Sequence, residues 1–208
     1  MNEKELAAIS LHELTQLTTY CLNVLSCTDE LRGNENLKDA YEQAKTLEGS
    51  IRKLKIASLM EKRTLICVSG MQGAGKTTMI KNFYGLKTEN LNICLGRGER
   101  IPVMITEKDI QEPLMQASVI ERGENGTYTV TDREMEPEEF AKASAGGDGS
   151  ILYLELCVPY RHLYNSGVSF VLLPGFEKKN DYWKTLIEFA VNSSDAAIFV
   201  FDESSFSQ

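Results

Sequence analysis

A glycine-rich loop that follows a short apolar run constrains the fold of this chain more than any other feature. Residues 64–69 form a continuous apolar run of the kind found in strands buried on both faces. Residues 70–77 then match the pattern G-x-x-x-x-G-K-[ST] without a mismatch, and helix-forming residues follow. A strand, a phosphate-binding loop and a helix in this order are typical of α/β proteins with a parallel sheet.

The residue types of this loop suit the binding of a phosphate chain. Glycines allow left-handed backbone conformations and bring N–H groups close to phosphate oxygens, and the following helix adds the positive end of its dipole. We expect Lys76 to contact the β- and γ-phosphates, Thr77 to offer its hydroxyl to Mg²⁺, and Thr78 to reach the α-phosphate. The predicted nucleotide-binding residues of the loop are Gly70, Met71, Gln72, Gly73, Ala74, Gly75, Lys76, Thr77 and Thr78.

The first 61 residues differ in pattern from the rest of the chain. They contain no proline, and their apolar residues recur at three- and four-residue spacing, which predicts two helices paired as a hairpin. The predicted apolar stripes are Leu14, Leu17, Cys21 and Val24 on the first helix, and Leu37, Ala40, Ala44, Leu47, Ile51 and Leu54 on the second. Two alternatives stay open: the hairpin packs on the neighbouring domain, or it forms half of a bundle completed by other helices.

Strands and helices alternate over the remaining residues. The sequence predicts strands at 64–69, 101–106, 115–122, 127–133, 151–158, 168–173 and 196–201, and helices at 77–84, 136–143 and 182–192. The predicted fold class is α/β, a P-loop, G-domain-like and mostly parallel sheet flanked by helices, preceded by the helical hairpin. The predicted domains are 1–61 and 62–208, and we expect the second to be incomplete at its C-terminus.

Charge and cysteine content exclude several classes of function. Lys and Arg number 22 against 30 Asp and Glu, so the net charge of −8 argues against a nucleic-acid binder and against a polybasic membrane anchor. No apolar run is long enough to cross a bilayer, so direct membrane contact is not supported by this segment. The five cysteines form no CxxC pair, which indicates reduced thiols in a cytosolic protein. We therefore expect a cytoplasmic location, with peripheral membrane association only through other regions or partners.

Three segments of the sequence are similar to one known family. Residues 70–78, GMQGAGKTT, resemble the G-x-Q-S-A-G-K-S-S loop of the dynamin superfamily, bacterial dynamin-like proteins included. Residues 168–176, VSFVLLPGF, resemble the strand and turn that carry D-[LT]-P-G in that family, and residues 194–202, SDAAIFVFD, are similar to its next strand.

The resemblance implies the N-terminal portion of a dynamin-like GTPase domain with degenerate switch motifs. Such a domain binds GTP or GDP with Mg²⁺ and hydrolyses GTP slowly or on assembly. The resemblance implies catalytic roles for Gln72 and Lys76, nucleotide contacts from Pro174 and Gly175, and a metal contact from Thr77. Because the family begins with bundle-forming helices, it also implies self-association or a helical partner through the hairpin.

The sequence departs from the family pattern at four places. Leu172 stands where the family has the Asp that reaches Mg²⁺ through water, and Gly73 replaces the usual loop Ser. No Thr lies close to Pro102, since Thr106 is too far along the predicted strand. The guanine-reading N/T-K-x-D motif does not follow Asp202, so selectivity for GTP rests on the resemblance alone.

Three interpretations of function therefore stay open. The first is a GTP-binding domain with slow or assembly-dependent hydrolysis, and the second is a degenerate nucleotide-binding or interaction module without hydrolysis. The third is an ATPase in which residues 198–203 form a Walker B strand, with Asp202 holding Mg²⁺ and Glu203 polarising water. Surface roles are favoured for Arg97, Arg100 and the Lys178–Lys179 pair, and a capping or packing role is favoured for His162.

Overall fold

The computed structural model describes residues 11–29, 38–60, 63–87, 101–144, 150–163, 166–175, 188, 190–192 and 194–202. Its helices are α1 (Leu11–Asp29), α2 (Lys38–Met60), α3 (Lys76–Tyr84) and α4 (Pro137–Ser144). Its strands are β1 (Thr64–Gly70), β2 (Val103–Lys108), β3 (Leu114–Arg122), β4 (Tyr128–Glu134), β5 (Ile151–Pro159), β6 (Val168–Leu172) and β7 (Ala196–Val200). Residues 188 and 190–192 are helical, and most of the helix predicted at 182–192 lies outside the described residues.

The seven strands within the described residues form one sheet in the order β4-β3-β5-β2-β6-β1-β7. Strand β1 lies between β6 and β7 and runs parallel to both, which places the start of the glycine-rich loop inside the parallel part of the sheet. Strand β2 is parallel to β5 but antiparallel to β6, and β3 is antiparallel to both β4 and β5. The α/β fold with flanking helices is confirmed, and the antiparallel share of the sheet is larger than the sequence predicts.

Apolar residues cover both faces of this sheet. On one face Ile80 of α3 and Phe140 of α4 pack with strand residues that include Val68 and Leu172. On the other face Leu22 of α1 and Ile51 of α2 pack with a second set of strand residues, among them Cys67, Met104, Leu152 and Val171. The hairpin therefore packs on the α/β segment, which is the first of the two alternatives drawn from the sequence.

A buried arginine holds the hairpin to the sheet. Arg52 of α2 is 4% exposed, and its guanidinium donates from Nε to the Leu152 carbonyl at 2.8 Å and from Nη2 to the Ile151 carbonyl at 2.7 Å. Buried charged groups are stable in a protein only when such hydrogen bonds replace water. This contact fixes the position of α2 over β5.

The apolar stripe of α1 differs from its prediction. Among the residues of α1 whose side chains the structure describes, Leu22 and Leu25 are buried, whereas Leu17 is 37% exposed and Cys21 and Val24 are half-buried; Leu14 is outside that set. The stripe of α2 is confirmed at Ile51 and Leu54, and Leu47 is half-buried. The predicted stripe positions Leu37, Ala40 and Ala44 lie outside the residues or side chains that the structure describes. When apolar residues occupy adjacent positions, either of two neighbouring stripes of a helix can face the core. In α1 the helix packs against β4 with the stripe that contains Leu22 and Leu25 turned inward. None of the described helices is long and apolar enough to cross a membrane.

Candidate functional site

The glycine-rich loop joins the end of β1 to the start of α3. Gly73 and Gly75 have φ values of +79° and +95°, in the left-handed region that favours glycine. Gly75 is the N-cap of α3 and makes no side-chain cap, and the helix is closed at its other end by Gly85, also left-handed. The loop thus turns sharply enough to direct the positive end of the helix dipole back along β1.

Lys76, the first residue of α3, folds back over this loop. Its side chain is 4% exposed, and Nζ donates to the carbonyl oxygens of Gly70 at 3.0 Å and Met71 at 2.9 Å. Thr77 follows at the same helix end and is also buried, while Thr78 is exposed. Lys76 and Thr77, which are predicted to contact phosphate and metal, are therefore buried next to each other where the loop joins α3.

Strand β7 and the turn after β6 both lie close against the glycine-rich loop. A Cβ atom on Gly70 would collide with the Val200 carbonyl of β7, so only glycine fits at that position. A Cβ atom on Gly175 would lie 2.8 Å from the backbone nitrogen of Gln72, which is closer than real side chains approach. The Pro174–Gly175 turn and the loop are therefore in direct contact, although they are about a hundred residues apart in the sequence.

Position 172 offers no ligand for a metal ion. Leu172 is fully buried and packs on the α3 face of the sheet, with Val68 and Val103 as its partners in the neighbouring strands. Mg²⁺ prefers oxygen ligands and retains several waters. Of the two positions that the dynamin resemblance concerns for metal contact, Thr77 has a suitable oxygen and position 172 does not.

Asp202 of the Walker B alternative lies at the edge of the described sheet. Asp202 is exposed just beyond β7, whose Val200 pairs with Gly70. Glu203, Arg97, Arg100, Lys178 and Lys179 lie outside the described residues. The structure therefore puts Asp202 in an exposed position just beyond a strand adjacent to β1.

His162 has the packing and capping role that its sequence context predicts. Its Nε2 lies 2.8 Å from the carbonyl oxygen of Phe83 near the end of α3, and its ring centroid lies 4.4 Å from that of Phe83. This contact ties the segment after β5 to the C-terminal end of α3.

The sequence gives no signal for the part that Glu107 plays beside it. Its carboxylate accepts from the backbone N–H groups of Arg161, His162 and Leu163, each at 2.9 Å. Burial alone would raise the pKa of Glu107, but these hydrogen bonds hold the pKa below its ordinary value. In the sequence Glu107 cannot be distinguished from any other acidic residue near the end of a strand, because its partners are backbone atoms about fifty residues away.

A cavity of about 740 Å³ opens at the C-terminal end of α3, away from the loop. Its lining includes Tyr84, Lys87, Glu112 and Glu136, and none of the predicted nucleotide-binding residues belongs to it. The glycine-rich loop and this cavity thus lie at opposite ends of α3.

No family model and no curated protein matches the sequence. Two chains from solved structures described as an oligomerised bacterial dynamin pair, a mechanism for long-range sensing and tethering of membranes, are similar to it. The first has a TM-score of 0.48 with 18% identity over 72% of this chain, and the second has a TM-score of 0.47 with 14% identity over 83%. This chain spans 22% and 30% of their lengths, less than a third of either.

Proposed function

We propose that this chain binds GTP with Mg²⁺ through the loop at residues 70–78, and that it hydrolyses GTP slowly. The geometry of Lys76 is the observation that carries the proposal. Nζ of Lys76 is held at the loop on the carbonyls of Gly70 and Met71, and the residue is buried there. There it can exchange those carbonyls for phosphate oxygens.

Slow hydrolysis follows from the residues around the loop. Thr77 would hold Mg²⁺ together with the phosphate oxygens, and the ion would neutralise charge on the phosphate chain. The apolar side chain of Leu172 removes the carboxylate that the dynamin resemblance implies at this point. Binding without rapid turnover is therefore the best-supported form of the function, and GTP is preferred to ATP because three segments resemble a GTP-binding family.

A titration with fluorescent GTP in Mg²⁺ tests the proposal, with unlabelled GTP and ATP as competitors. We expect GTP to displace the probe and Lys76→Ala to weaken binding by about tenfold or more. Lys87→Ala is the matched control, because it removes a lysine charge at the far end of α3. Thermal melting of both variants shows whether either change unfolds the protein.

The competition separates the alternatives. Displacement by ATP instead of GTP would favour the Walker B interpretation, and Glu203→Gln should then abolish turnover while binding persists. Probe binding that is equal in the wild type and in Lys76→Ala would contradict the proposed role of the loop. Multiple-turnover hydrolysis by the isolated protein at the rate of an active GTPase would contradict the inference drawn from Leu172.

A further inference from the structure

The turn between β3 and β4 contains an asparagine that is followed by a glycine. Asn125 is exposed, and Gly126 has a φ value of +79°, in the left-handed region. Two backbone hydrogen bonds close the turn: the N–H of Gly126 donates to the Gly123 carbonyl at 2.9 Å, and the N–H of Gly123 donates to the Thr127 carbonyl at 2.8 Å. The turn lies within the continuous described range 101–144, so described residues alone define its geometry.

The side-chain amide of Asn125 is held by two donors from a single residue. Its Oδ1 accepts from the hydroxyl of Thr127 at 2.6 Å and from the N–H of Thr127 at 3.2 Å. A backbone N–H can only donate, so the atom that faces it is the oxygen of the amide and not its nitrogen. Two donors on an amide oxygen draw electrons from the carbonyl carbon Cγ and stabilise negative charge that develops on the oxygen.

We propose that Asn125 is a site of spontaneous deamidation, in which the backbone nitrogen of Gly126 attacks Cγ of the asparagine side chain. The new N–Cγ bond closes a succinimide ring, Nδ2 leaves as ammonia, and the proton lost by the Gly126 nitrogen leaves with it. Water then opens the ring at either of its two carbonyl carbons, so the products are aspartate and isoaspartate. The whole reaction consumes one water and releases one ammonia, without an oxidant, a metal ion or a cofactor.

The turn supplies what this reaction needs at both reacting atoms. Negative charge develops on Oδ1 during the attack, and the two donors of Thr127 already point at that atom as an oxyanion hole. The attack also requires the Gly126 nitrogen to turn away from the Gly123 carbonyl. Glycine permits this rotation, and the nearest atom to a Cβ placed at Gly126 would be Nη2 of Arg122 at 3.7 Å. The turn therefore gives up one backbone hydrogen bond to reach the reactive geometry.

The two products differ in their effect on the hairpin. Aspartate leaves the main chain unchanged and keeps an oxygen at Oδ1, so both hydrogen bonds from Thr127 persist. Isoaspartate directs the main chain through the side-chain carbon and so adds an atom between β3 and β4. That insertion displaces Tyr128, which pairs with Arg122 and whose N–H donates to Oγ of Ser26 in α1 at 2.9 Å. Isoaspartate therefore loosens the hairpin and its contact with α1.

Peptide mapping by mass spectrometry tests the proposal on the 208-residue chain, incubated without nucleotide at mildly alkaline pH. We expect Asn125 to lose its amide before the other asparagines, none of which precedes a glycine. Thr127→Val removes the hydroxyl donor and should slow the reaction by about threefold or more, because one hydrogen bond to the developing charge is lost. Thr127→Ser keeps a hydroxyl and is the matched control, with a rate close to that of the wild type.

Unfolding separates the effect of the turn from that of the residue types. In concentrated urea the wild type and Thr127→Val should deamidate at similar rates, because the turn no longer holds Oδ1 on Thr127. The proposal is overturned by a wild type in which Asn125 keeps its amide. Thr127→Val reacting as fast as the folded wild type, or being slowed equally with and without urea, would overturn it too.

Melting experiments complete the test. Circular dichroism shows whether each variant folds, and no loss of folding is expected at Thr127 because it is exposed. Among the deamidated products, separated by ion exchange, the isoaspartate form should melt at a lower temperature than the aspartate form. The proposal uses no residue of the glycine-rich loop, so it stands or falls independently of nucleotide binding.

Discussion

Leu172 determines what the end of β6 can contribute to the candidate site. It is fully buried, and its neighbours in the flanking strands are Val68 and Val103. An acid at this position would have to leave water and enter apolar surroundings, which is strongly unfavourable without a compensating cation. The same side chain therefore stabilises the core and offers no oxygen atom to a metal ion.

We predict that Leu172→Asp lowers the free energy of unfolding by about 2–5 kcal/mol, because it buries an unpaired carboxylate. Leu172→Met, which keeps an apolar side chain of similar volume, should lower it by less than about 1.5 kcal/mol. Urea unfolding with and without Mg²⁺ and GTP measures both. If the new aspartate faced the proposed metal ion, Mg²⁺ and GTP would restore part of the lost free energy of unfolding. An unchanged unfolding midpoint in the absence of ligand would contradict the burial of this position.

Glu107 makes stability depend on acid pH. Its pKa in the folded state lies below the ordinary value, so the ionised carboxylate stabilises the folded state. That contribution is fully present above the ordinary glutamate pKa of about 4.3 and is lost as pH falls through the lower folded-state value. Glu107→Gln should therefore reduce the free energy of unfolding at pH 7, and the difference from wild type should shrink below about pH 4.

Denaturant unfolding across this pH range measures the effect, with Glu112→Gln as the control because Glu112 is exposed. A difference between Glu107→Gln and wild type that is the same at pH 3 and pH 7 would show that the carboxylate does not act through its charge.

At the scale of elements, the turn after β6 packs directly against the glycine-rich loop, so a change in one displaces the other. Gly175→Ala should displace the loop, because the new methyl group would lie 2.8 Å from the Gln72 nitrogen. We expect weaker nucleotide binding and a lower melting temperature. Gly123→Ala is the control: neither glycine has a left-handed φ, and the methyl group at 123 would meet the side chain of Asn125, which can move. Equal effects of the two changes in the titration would contradict the contact.

Most of these elements can be predicted from the sequence, because burial and periodicity are local. The apolar run at 64–69 becomes β1, and the Asn125–Gly126 turn separates two strands near their predicted ends. The order of the strands in the sheet, by contrast, depends on contacts between segments that are distant in the sequence. The antiparallel pairing of β2 with β6 depends on which surfaces pack after the chain has folded, and a buried strand has the same composition in either direction.

The same distinction applies to the candidate site. The loop residues are consecutive, so their pattern is visible in the sequence. The contacts Gly70–Val200, Gly175–Gln72 and Glu107 with the 161–163 backbone join distant segments, and all three use backbone atoms that carry no residue-specific signal.

At the scale of the whole molecule, the hairpin and the sheet share one apolar core. Removal of residues 1–61 would uncover a sheet face that includes Cys67, Met104, Leu152 and Val171. We predict that the fragment 62–208 binds a hydrophobic dye, aggregates more readily than the full chain and loses cooperative unfolding. Dye fluorescence and urea unfolding of both proteins measure this. A fragment that unfolds as cooperatively as the full chain would show that 62–208 is a self-sufficient domain.

Arg52 gives the hairpin a point of attachment in the interior of the sheet. Its two hydrogen bonds end on Ile151 and Leu152 of β5, a strand with β3 on one side and β2 on the other. A force applied to α2 would therefore act on a strand that is hydrogen-bonded to a neighbour on each side. The force would be distributed over several strand pairings of the sheet. Helix and sheet would in this respect respond as one mechanical unit, and tension applied to the hairpin would be borne by the whole fold.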